Sequence, residues 1–441
     1  MKMFIGVMIL IAFLASTAHA AIRYVGSGEA YATIQSAIDA ASNGDVIIVR
    51  DGVYTGTGNR DIDFKGKAIH LKSENGAESC VINALGSQAD PHRVFLFHAQ
   101  EQHDSVVEGF TITGGYVAGS SWEDMRGAGV NCNNASSPTI ANNIIAQNTA
   151  TEDGGGIYCG DSSSPLIIGN DIRTNTAFSG GGGISCRAGA SPSISNNRIV
   201  YNTSRFVGGG VYTYLCTILL KNNTIAHNSA TIGGGSCSDD SAITVINCVV
   251  WGNTAPTGDG IAIRTWSEPS IVGIGYSSVY GGQLGVFLQI GCTLSWHSTN
   301  IYSDPLFADP ANGDYHLKSQ YGRWDPTADG GAGWVIDDVT SPCINAGDPT
   351  SAYGPEPEPN GCRVNMGAYG NTPDASKGKW ILPGDANHDS TVNVLDLIVI
   401  RSLFMHDAGS GGNWKGDVNE DGRINVLDLI YARNLIGTTR P

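Results

Sequence analysis

The sequence predicts an all-β chain built as a solenoid of stacked parallel sheets, with a small helical module at its C-terminus. Three observations lead to this fold class. A glycine-rich phrase recurs about every 27 residues between residues 127 and 260. These repeats contain no stretch with the 3.6-residue periodicity of a helix. Glycine accounts for 59 of 441 residues and only 15% of residues are charged, which is typical of a turn-rich β protein.

The first twenty residues have the organisation of a secretory signal peptide. Lys2 is the positive start, Phe4 to Leu14 form the apolar core, and Ala18-His19-Ala20 is the small-x-small cleavage pattern. The apolar core is shorter than the roughly 20 residues that cross a bilayer, and no later segment reaches that length. We therefore expect a secreted, extracellular protein without a transmembrane segment, which begins near Ala21 after cleavage.

Charge and cysteine content bear on partners and cross-links. The chain has 41 acidic and 25 basic residues, a formal net charge of −16, and no basic stripe. Nucleic acid is therefore not an expected partner. Ten cysteines in an exported chain permit disulfides. Cys343 and Cys362 are one plausible pair.

The large domain is predicted to begin with a capping helix. Residues 32–41 form a short amphipathic pattern, and residues 44–49 form an apolar strand after it. A helix at this place would cover the open first edge of a solenoid, which otherwise exposes unpaired backbone groups.

The repeat defines one coil of the solenoid. A phrase of the type Gly-Gly-Gly-Ile-Tyr-Cys starts at Gly127, Gly154, Gly181 and Gly208, in steps of 27 residues, and returns at Gly233 after 25. Each unit has two or three short alternating runs between Gly, Asn or Ser turns. Such a unit cannot bury its apolar face alone, so it must stack on neighbours about 4.8 Å away. Ile157 and Ile184 should point inward, and Tyr158 and Ser185 outward.

This pattern resembles the right-handed parallel β-helix of the pectate-lyase-like superfamily, across roughly residues 22–370. The resemblance implies that residues 304–307 and 314–317 belong to terminal coils. Pro355 to Pro359 are interpreted as a stiff surface insertion. The expected organisation is a signal peptide at 1–20, the β-helix at 21–370, a linker at 371–381 and a second module at 382–441.

Two columns of repeated side chains admit a structural or a functional interpretation. Stacked Asn side chains hydrogen-bond one another and tolerate left-handed turns, so a structural ladder is expected rather than a binding site. Its members are Asn148, Asn175, Asn202, Asn228 and Asn253. Cys132, Cys159 and Cys186 form the other column. One straight column cannot supply tetrahedral zinc directions, so a buried stack is expected, with one disulfide between adjacent coils as an alternative.

The sequence assigns no catalytic residue. The set of stretches that marks polygalacturonase-like hydrolases, which includes Gly-His-Gly and Arg-Ile-Lys, is absent. A calcium-assisted lyase needs an acidic cluster beside an Arg or Lys base. The aligned repeats place charged residues beside the glycine strand of adjacent coils: Arg126, Glu152, Asp153, Asp161 and Arg187. These could share a groove in which Tyr158 and Tyr212 stack on sugars, or they could be scattered surface charges.

The tail contains a duplicated calcium-type loop. Residues 385–398 return as residues 417–430, an offset of 32. Oxygen side chains at loop positions 1, 3, 5, 9 and 12 suit Ca²⁺, position 7 supplies its backbone carbonyl, and position 9 acts through a water. We predict two calcium ions, one in each loop. Their ligands are Asp385, Asn387, Asp389, Thr391, Asn393 and Asp396, and Asp417, Asn419, Asp421, Arg423, Asn425 and Asp428.

Asp at position 12 and the lack of a preceding amphipathic helix resemble a type I dockerin rather than an EF-hand. The resemblance covers residues 382–441 and implies a cohesin-like partner. Dockerins contact cohesin through loop positions 10 and 11, which here are Val394-Leu395 and Val426-Leu427. Cellulosomal members carry hydroxyl residues there, so this chain departs from their pattern.

Together these resemblances imply a polysaccharide-active protein of bacterial origin, a lyase or a glycoside hydrolase, attached to a scaffold. The alternative is a noncatalytic extracellular carbohydrate-binding or adhesion protein.

Overall fold

The computed structural model describes residues 20–328, 331–379, 392–402, 418 and 424–436. Within these ranges, parallel strands stack into three long sheets around one hydrophobic core. The expected all-β solenoid is confirmed. No helix among the described residues is both long and apolar enough to cross a membrane.

The first sheet has eleven strands, from Ile22–Val25 to Thr293–Trp296. Those between are Val46–Val49, His70–Ser73, Val106–Glu108, Thr139–Ala141, Leu166–Ile168, Ser193–Ser195, Thr217–Lys221, Ala242–Ile246 and Ile271–Gly275. The second sheet has nine strands: Gly52–Thr55, Cys80–Asn83, Thr111–Thr113, Ile144–Ala146, Asp171–Arg173, Arg198–Val200, Thr224–Ala226, Val249–Trp251 and Ser278–Val279.

The third sheet follows the glycine runs and also has nine strands: Ile62–Asp63, Phe95–Phe97, Val130–Cys132, Ile157–Cys159, Ile184–Arg187, Val211–Tyr214, Ser236–Asp239, Ile261–Arg264 and Val286–Leu288. A minor sheet joins Tyr116–Val117, Thr149–Ala150, Thr176–Ala177 and Thr203–Ser204. The α-helices are α1 (Ile34–Ala40), α2 (Val394–Ser402) and α3 (Val426–Asn434), and short 3-10 turns occupy Gly282–Gly285 and Pro310–Asn312.

The register aligns identical side chains from coil to coil. Ile140 pairs with Ile167, and Ile167 with Ile194, and all three are buried. In the third sheet Ile157 pairs with Ile184, and both point into the core as predicted. Each buried Ile contributes roughly 1.5–3 kcal/mol of transfer free energy, so the repeated inward positions stabilise the stack.

The glycine runs let the chain fold over the outer face of the third sheet. Gly154 has a φ of +67°, and a Cβ there would lie 2.5 Å from the carbonyl oxygen of Ile157. The residues just before each glycine run also pair from coil to coil, Asp153 with Gly180 and Gly180 with Val207. We call this row of paired residues the loop ladder. This loop ladder covers the outward residues of the third sheet. Tyr158, predicted to be exposed, is therefore only 2% exposed.

The predicted Asn ladder is confirmed as a structural feature. The Asn148 backbone N–H and side-chain amide both donate to Oδ1 of Asn175, at 3.1 and 3.0 Å. Asn175 makes the same two bonds to Asn202. The left-handed residue is not the ladder Asn but the one before it, for example Thr174 with a φ of +53°. The ladder thus holds a strained turn in place through bonds to the next coil.

The N-terminal cap lies close to its predicted position. The Thr33 hydroxyl accepts a hydrogen bond from the Ser36 N–H at 3.3 Å and caps α1. Ile34, Ala37 and Ile38 of this helix are buried in the core. The helix therefore supplies apolar cover at the first edge of the solenoid, as the sequence indicated.

The described residues between 305 and 379 do not continue as coils, contrary to the expectation for 304–307 and 314–317. Phe307–Asp309 and Asp314–Leu317 form an antiparallel pair, and Arg323–Asp325 pairs with Gly333–Val335. This C-terminal segment packs on the outer face of the second sheet. Its core residues include Phe307, Tyr315, Leu317 and Met366, against Val200, Ala226 and Val249.

The cysteines of the column are buried thiols. Cys132, Cys159 and Cys186 are in register and have no disulfide, which confirms the buried stack. A hydrogen bond with the Cys132 thiol and burial raise the pKa of Cys159 far above its ordinary value. Cys343 is also a buried thiol, so the suggested disulfide between Cys343 and Cys362 is wrong.

Candidate functional site

A groove of about 510 Å³ follows the outer face of the third sheet. Four residues of one register column, Arg187, Tyr214, Asp239 and Arg264, form its floor. The loop ladder supplies one wall through Phe206, Val207, Thr231 and Ile232, and Trp266 also lines the groove. The solenoid thus brings residues from four successive coils into one elongated depression.

Asp239 is the buried carboxylate at the centre of this groove. The Tyr212 hydroxyl and the Trp266 indole N–H both donate to its Oδ2, at 3.1 and 3.0 Å. The Arg264 Nε lies 3.3 Å from its Oδ1. Burial raises the pKa of Asp239, and the Arg264 charge opposes this shift. These three contacts hold the Asp239 carboxylate in one orientation.

A second buried carboxylate, Asp153, lies beside the groove. Its Oδ2 is 2.7 Å from the Arg187 Nε and 3.2 Å from the Arg126 Nε. Arg187 Nη2 also donates to Oδ1 at 3.0 Å. Burial raises the pKa of Asp153, whereas the two guanidinium groups lower it. Arg187 therefore links this ion-pair cluster to the groove floor.

Four of the five charged residues singled out in the sequence come together. Arg126 and Arg187 contact Asp153, and Glu152 interacts electrostatically with all three. Burial, reinforced by the nearby Asp153 charge, raises the pKa of Glu152. Asp161 is exposed in the turn after the strand, with a φ of +48°.

The two tyrosines predicted to stack on sugars are not exposed. Tyr158 accepts a hydrogen bond from Arg126 Nη1 at 3.0 Å and lies under the loop ladder. Tyr212 is only 4% exposed because its ring packs against Val207 and Ile232, and its hydroxyl donates to Asp239. The available aromatic surfaces are instead Trp266, which is 71% exposed, and Phe206, which is 45% exposed.

Sequence reasoning missed Asp239, Arg264 and Trp266. The signal was present, since the 25-residue step to Gly233 aligns Ser236–Asp239 with Val211–Tyr214. Extending the alignment one more coil would have placed Arg264 in the same column.

The described part of the C-terminal module contains α2 and α3, in agreement with the small helical module that the sequence predicts. In α3, Asn425 accepts a hydrogen bond from Leu427 N–H at 2.8 Å, and Asp428 accepts one from Asn425 N–H at 2.7 Å. Asn393, Leu395 and Asp396 repeat these bonds at the start of α2. Both Asp side chains are fully buried. The other eight predicted calcium ligands, Asp385, Asn387, Asp389, Thr391, Asp417, Asn419, Asp421 and Arg423, lie outside the described residues.

The two helices pack together and present a shared apolar groove. Ile400, Val418, Ile424 and Ala432 form the small core. Outside it, a groove of about 310 Å³ is lined by Val394, Leu397, Ile398, Arg401, Leu429, Ile430 and Arg433. The predicted contact pairs Val394-Leu395 and Val426-Leu427 are all more than half exposed.

Comparison with known families gives three matches. The model described as "right handed beta helix region" matches residues 37–203 and 117–274, which together exceed half of the chain. A model described as "disaggregatase related" matches residues 202–347. The model for the dockerin type I domain matches residues 383–437, as the duplicated loops predicted. No curated protein matches the chain.

The solved structures that match are distant in sequence. Pectate lyase Pel9A has 15% identity and a TM-score of 0.46, with 79% of this chain and 95% of that chain covered. Pectin methylesterase from carrot has 14% identity and a TM-score of 0.29, with 65% and 84% covered. The rice weevil pectin methyl esterase has 14% identity and a TM-score of 0.25, with 56% and 82% covered.

The repeating coils, their register and the family match agree on one assignment. The chain belongs to the right-handed β-helix family and carries a type I dockerin domain in its C-terminal part.

Proposed function

We propose that this protein is an exported, polysaccharide-active β-helix protein that attaches to a cohesin-like partner. The observation that carries the proposal is the groove built from Arg187, Tyr214, Asp239 and Arg264 on a chain that also has a dockerin domain. We assign residues 1–20 to a signal peptide, 21–370 to the β-helix, 371–381 to a linker and 382–441 to the dockerin. The protein then acts outside the cell.

The groove is suited to a sugar chain. It is elongated along the stack of coils, and its exposed aromatic rings, Trp266 and Phe206, can pack against the apolar faces of sugar rings. The arginines beside them can donate hydrogen bonds to hydroxyl or carboxylate groups.

One observation favours a noncatalytic binding protein as the second candidate. Asp239 already accepts hydrogen bonds from Tyr212 and Trp266, and Asp153 is fully buried between two arginines. Carboxylates held in this way are oriented rather than available for attack. Binding through Trp266 and the arginines requires no further titratable group.

A panel of uronic-acid and neutral polysaccharides separates these functions. Products that absorb in the ultraviolet identify a lyase, reducing ends alone identify a hydrolase, and retention without products identifies a binding protein. Trp266→Ala should reduce any of these signals at least about tenfold, because the exposed ring is lost. Tyr302→Ala is the matched control, since Tyr302 is 73% exposed but does not line the groove. If wild type gives neither products nor retention, the proposal fails.

We also propose that the dockerin binds two calcium ions. The described ligands fit this role, because each helix begins with an Asn amide oxygen and a fully buried Asp carboxylate. Ca²⁺ prefers oxygen ligands of this kind. The full ligand sets are the twelve residues predicted above. When bound, the ions supply charge neutralisation and link the loops to α2 and α3.

The partner surface is proposed to be apolar and calcium-dependent. Leu395 and Leu427 occupy equivalent exposed places at the start of α2 and α3, so a partner can dock in either of two orientations. Leu395→Asp and Leu427→Asp should each be tolerated singly, and the double change should abolish binding. The test uses the wild-type and the double-mutant dockerin as baits in pull-downs from the secreted proteins of the source organism. Equal recovery of one partner by both tails would exclude this surface.

A further inference from the structure

The two ends of the solenoid differ in how they are covered. At the N-terminal end, Ile34, Ala37 and Ile38 of α1 are buried in the core and cover the first edge. The last coil, residues 282–303, has no equivalent helix or strand over it within the described ranges. The C-terminal segment does not cover it, because that segment packs on the outer face of the second sheet. We call the outer edge of the last coil the open end.

The open end exposes unpaired strand edges. Val286–Leu288 and Thr293–Trp296 are the outermost strands of the third and first sheets, and no described strand pairs with their outer side. Proteins usually protect such an edge with a charged residue, a proline or a covering element, because its main-chain groups can pair with another chain. These two strands contain neither a charged residue nor a proline. Leu284 and Ile290, in the turns beside them, are 99% and 97% exposed.

The hydrophobic core is also incomplete at this end. Leu294 and Trp296 align with Val272 and Ile274 of the preceding coil, and those two side chains are buried. In the last coil the equivalent side chains pack on the core but are only partly buried. A further layer placed on this coil would therefore complete the burial that the preceding coils have.

Charge indicates which surface fits the open end. Residues 269–303 contain no Asp, Glu, Lys or Arg, although charged residues make up 15% of the chain. The whole chain has a net charge of −16, so like-charge repulsion opposes most contacts between two copies. A two-fold axis at the open end places the uncharged coil against its own copy, where no charged side chain is desolvated or repelled. A charged partner surface would lose its hydration there without gaining an opposite charge.

We propose that two copies of this chain associate through their open ends into a two-fold dimer. The strand edges of one copy meet those of the other, and Leu284 and Ile290 of both copies are removed from water. Because α1 covers the other end, and the first strand there contains Arg23, the contact does not repeat and association stops at two copies.

The dimer does not depend on the function proposed for the groove. It would carry two grooves and two dockerin domains, so one assembly could engage a polysaccharide or a scaffold at two points.

The test is the oligomeric state of the full chain, measured by sedimentation velocity over a dilution series with calcium present. The wild-type chain should form a dimer that dissociates on dilution. Raising the ionic strength from about 0.05 M to about 0.5 M should not weaken the dimer, because salt screens the repulsion between the two negative copies. Hydrogen exchange should show protection of Val286–Leu288 and Thr293–Trp296 in the dimer and loss of that protection on dilution.

Two variants address the contact directly. Leu284→Asp and Ile290→Asp should each raise the dimer dissociation constant at least about tenfold, because the two-fold axis introduces each new charge twice. Both side chains are almost fully exposed in the single chain, so its fold should persist, which circular dichroism checks. Ile22→Asp is the matched control, since Ile22 is 59% exposed on the first strand, at the opposite end of the solenoid. It should leave the dimer unchanged.

Three results would overturn the proposal. The first is a wild-type chain that stays monomeric at every concentration; protection of the edge strands in that monomer would mean that the chain's own tail covers the open end. The second is loss of association in Ile22→Asp, which would indicate a head-to-tail contact. The third is a dimer that persists when Leu284→Asp and Ile290→Asp are combined, which would place the interface elsewhere.

Discussion

At the residue scale, Asp153 connects three coils through one carboxylate. Arg126 precedes it by one coil and Arg187 follows it by one, and both guanidinium groups reach the same oxygen. Breaking a buried ion pair from one side leaves an uncompensated charge, which costs far more than the pair contributes. The cluster therefore fixes the register of the loop ladder as well as the shape of the groove beside it.

Replacing this carboxylate should destabilise the β-helix strongly. Asp153→Ala should lower the free energy of unfolding by about 3–5 kcal/mol, because Arg126 and Arg187 lose their shared partner. Urea unfolding measures this change. Asp161→Asn, in an exposed left-handed turn, should change it by less than about 0.5 kcal/mol. Equal urea midpoints for Asp153→Ala and wild type would contradict this account.

The adjacent residues Ile157 and Tyr158 test the two faces of one strand. Ile157→Asp should abolish soluble expression, because it places a charge in the core. The sequence alone suggested that Tyr158→Ser is silent, since Ser185 occupies the equivalent place. Its burial now indicates a cost on the order of 3 kcal/mol. Tyr158→Phe, which loses only the Arg126 hydrogen bond, should cost about 1 kcal/mol. Unchanged thermal stability of Tyr158→Ser would show that the loop ladder packs loosely.

At the element scale, the proline-rich insertion is less peripheral than its sequence indicated. Glu356 is buried, and its Oε1 accepts hydrogen bonds from the backbone N–H groups of Asn365 and Asn371 at 2.8 and 2.7 Å. Burial raises its pKa from an ordinary 4.5 to about 7. This carboxyl therefore couples the stability of the C-terminal segment to pH.

The direction of that coupling is set by proton binding. Between about pH 4.5 and pH 7 the folded chain keeps a proton on Glu356 that the unfolded chain releases. The free energy of unfolding should therefore fall as pH rises through this window, on the order of 2 kcal/mol in total, and level off above it. Glu356→Gln should flatten the profile, whereas the exposed Glu358→Gln should not. Identical pH profiles for wild type and Glu356→Gln would contradict the assignment.

The elements show why some features were predictable and others were not. The 27-residue repeat identifies which residues of adjacent coils are neighbours, so the sheets and the Asn ladder could be predicted. The cap helix could be predicted from its own amphipathic pattern. The loop ladder over Tyr158 could not be predicted. It is created by the geometry of the glycine runs and by main-chain pairing, and neither produces an apolar periodicity in the sequence. The groove could be predicted only in part, because the repeat shortens from 27 to 25 residues before Asp239.

The packing of the C-terminal segment could not be predicted for a different reason. It joins residues such as Phe307 and Met366 to solenoid residues about a hundred or more positions earlier, such as Val200. No repeat relates the two segments, and their contact depends on single residues rather than on a pattern.

At the scale of the whole molecule, the two modules should differ in how they depend on calcium. Chelation should unfold residues 382–441 and leave the β-helix intact. The described dockerin core is small, so ion binding supplies much of its folding free energy, whereas the β-helix has a continuous core. Hydrogen exchange before and after chelator addition measures both. Equal loss of protection in the two modules would refute the prediction, and Asp428→Ala should reproduce part of the effect.

The buried cysteine column makes the opening of individual coils measurable. Cys132, Cys159 and Cys186 belong to three successive coils, and all three thiols are inaccessible in the folded state. A thiol-alkylating reagent can modify each one only after its own coil has opened. When opening and closing are fast, the labelling rate reports the population of the open state. The order of modification would then give the order in which neighbouring coils separate, without any probe being added to the chain.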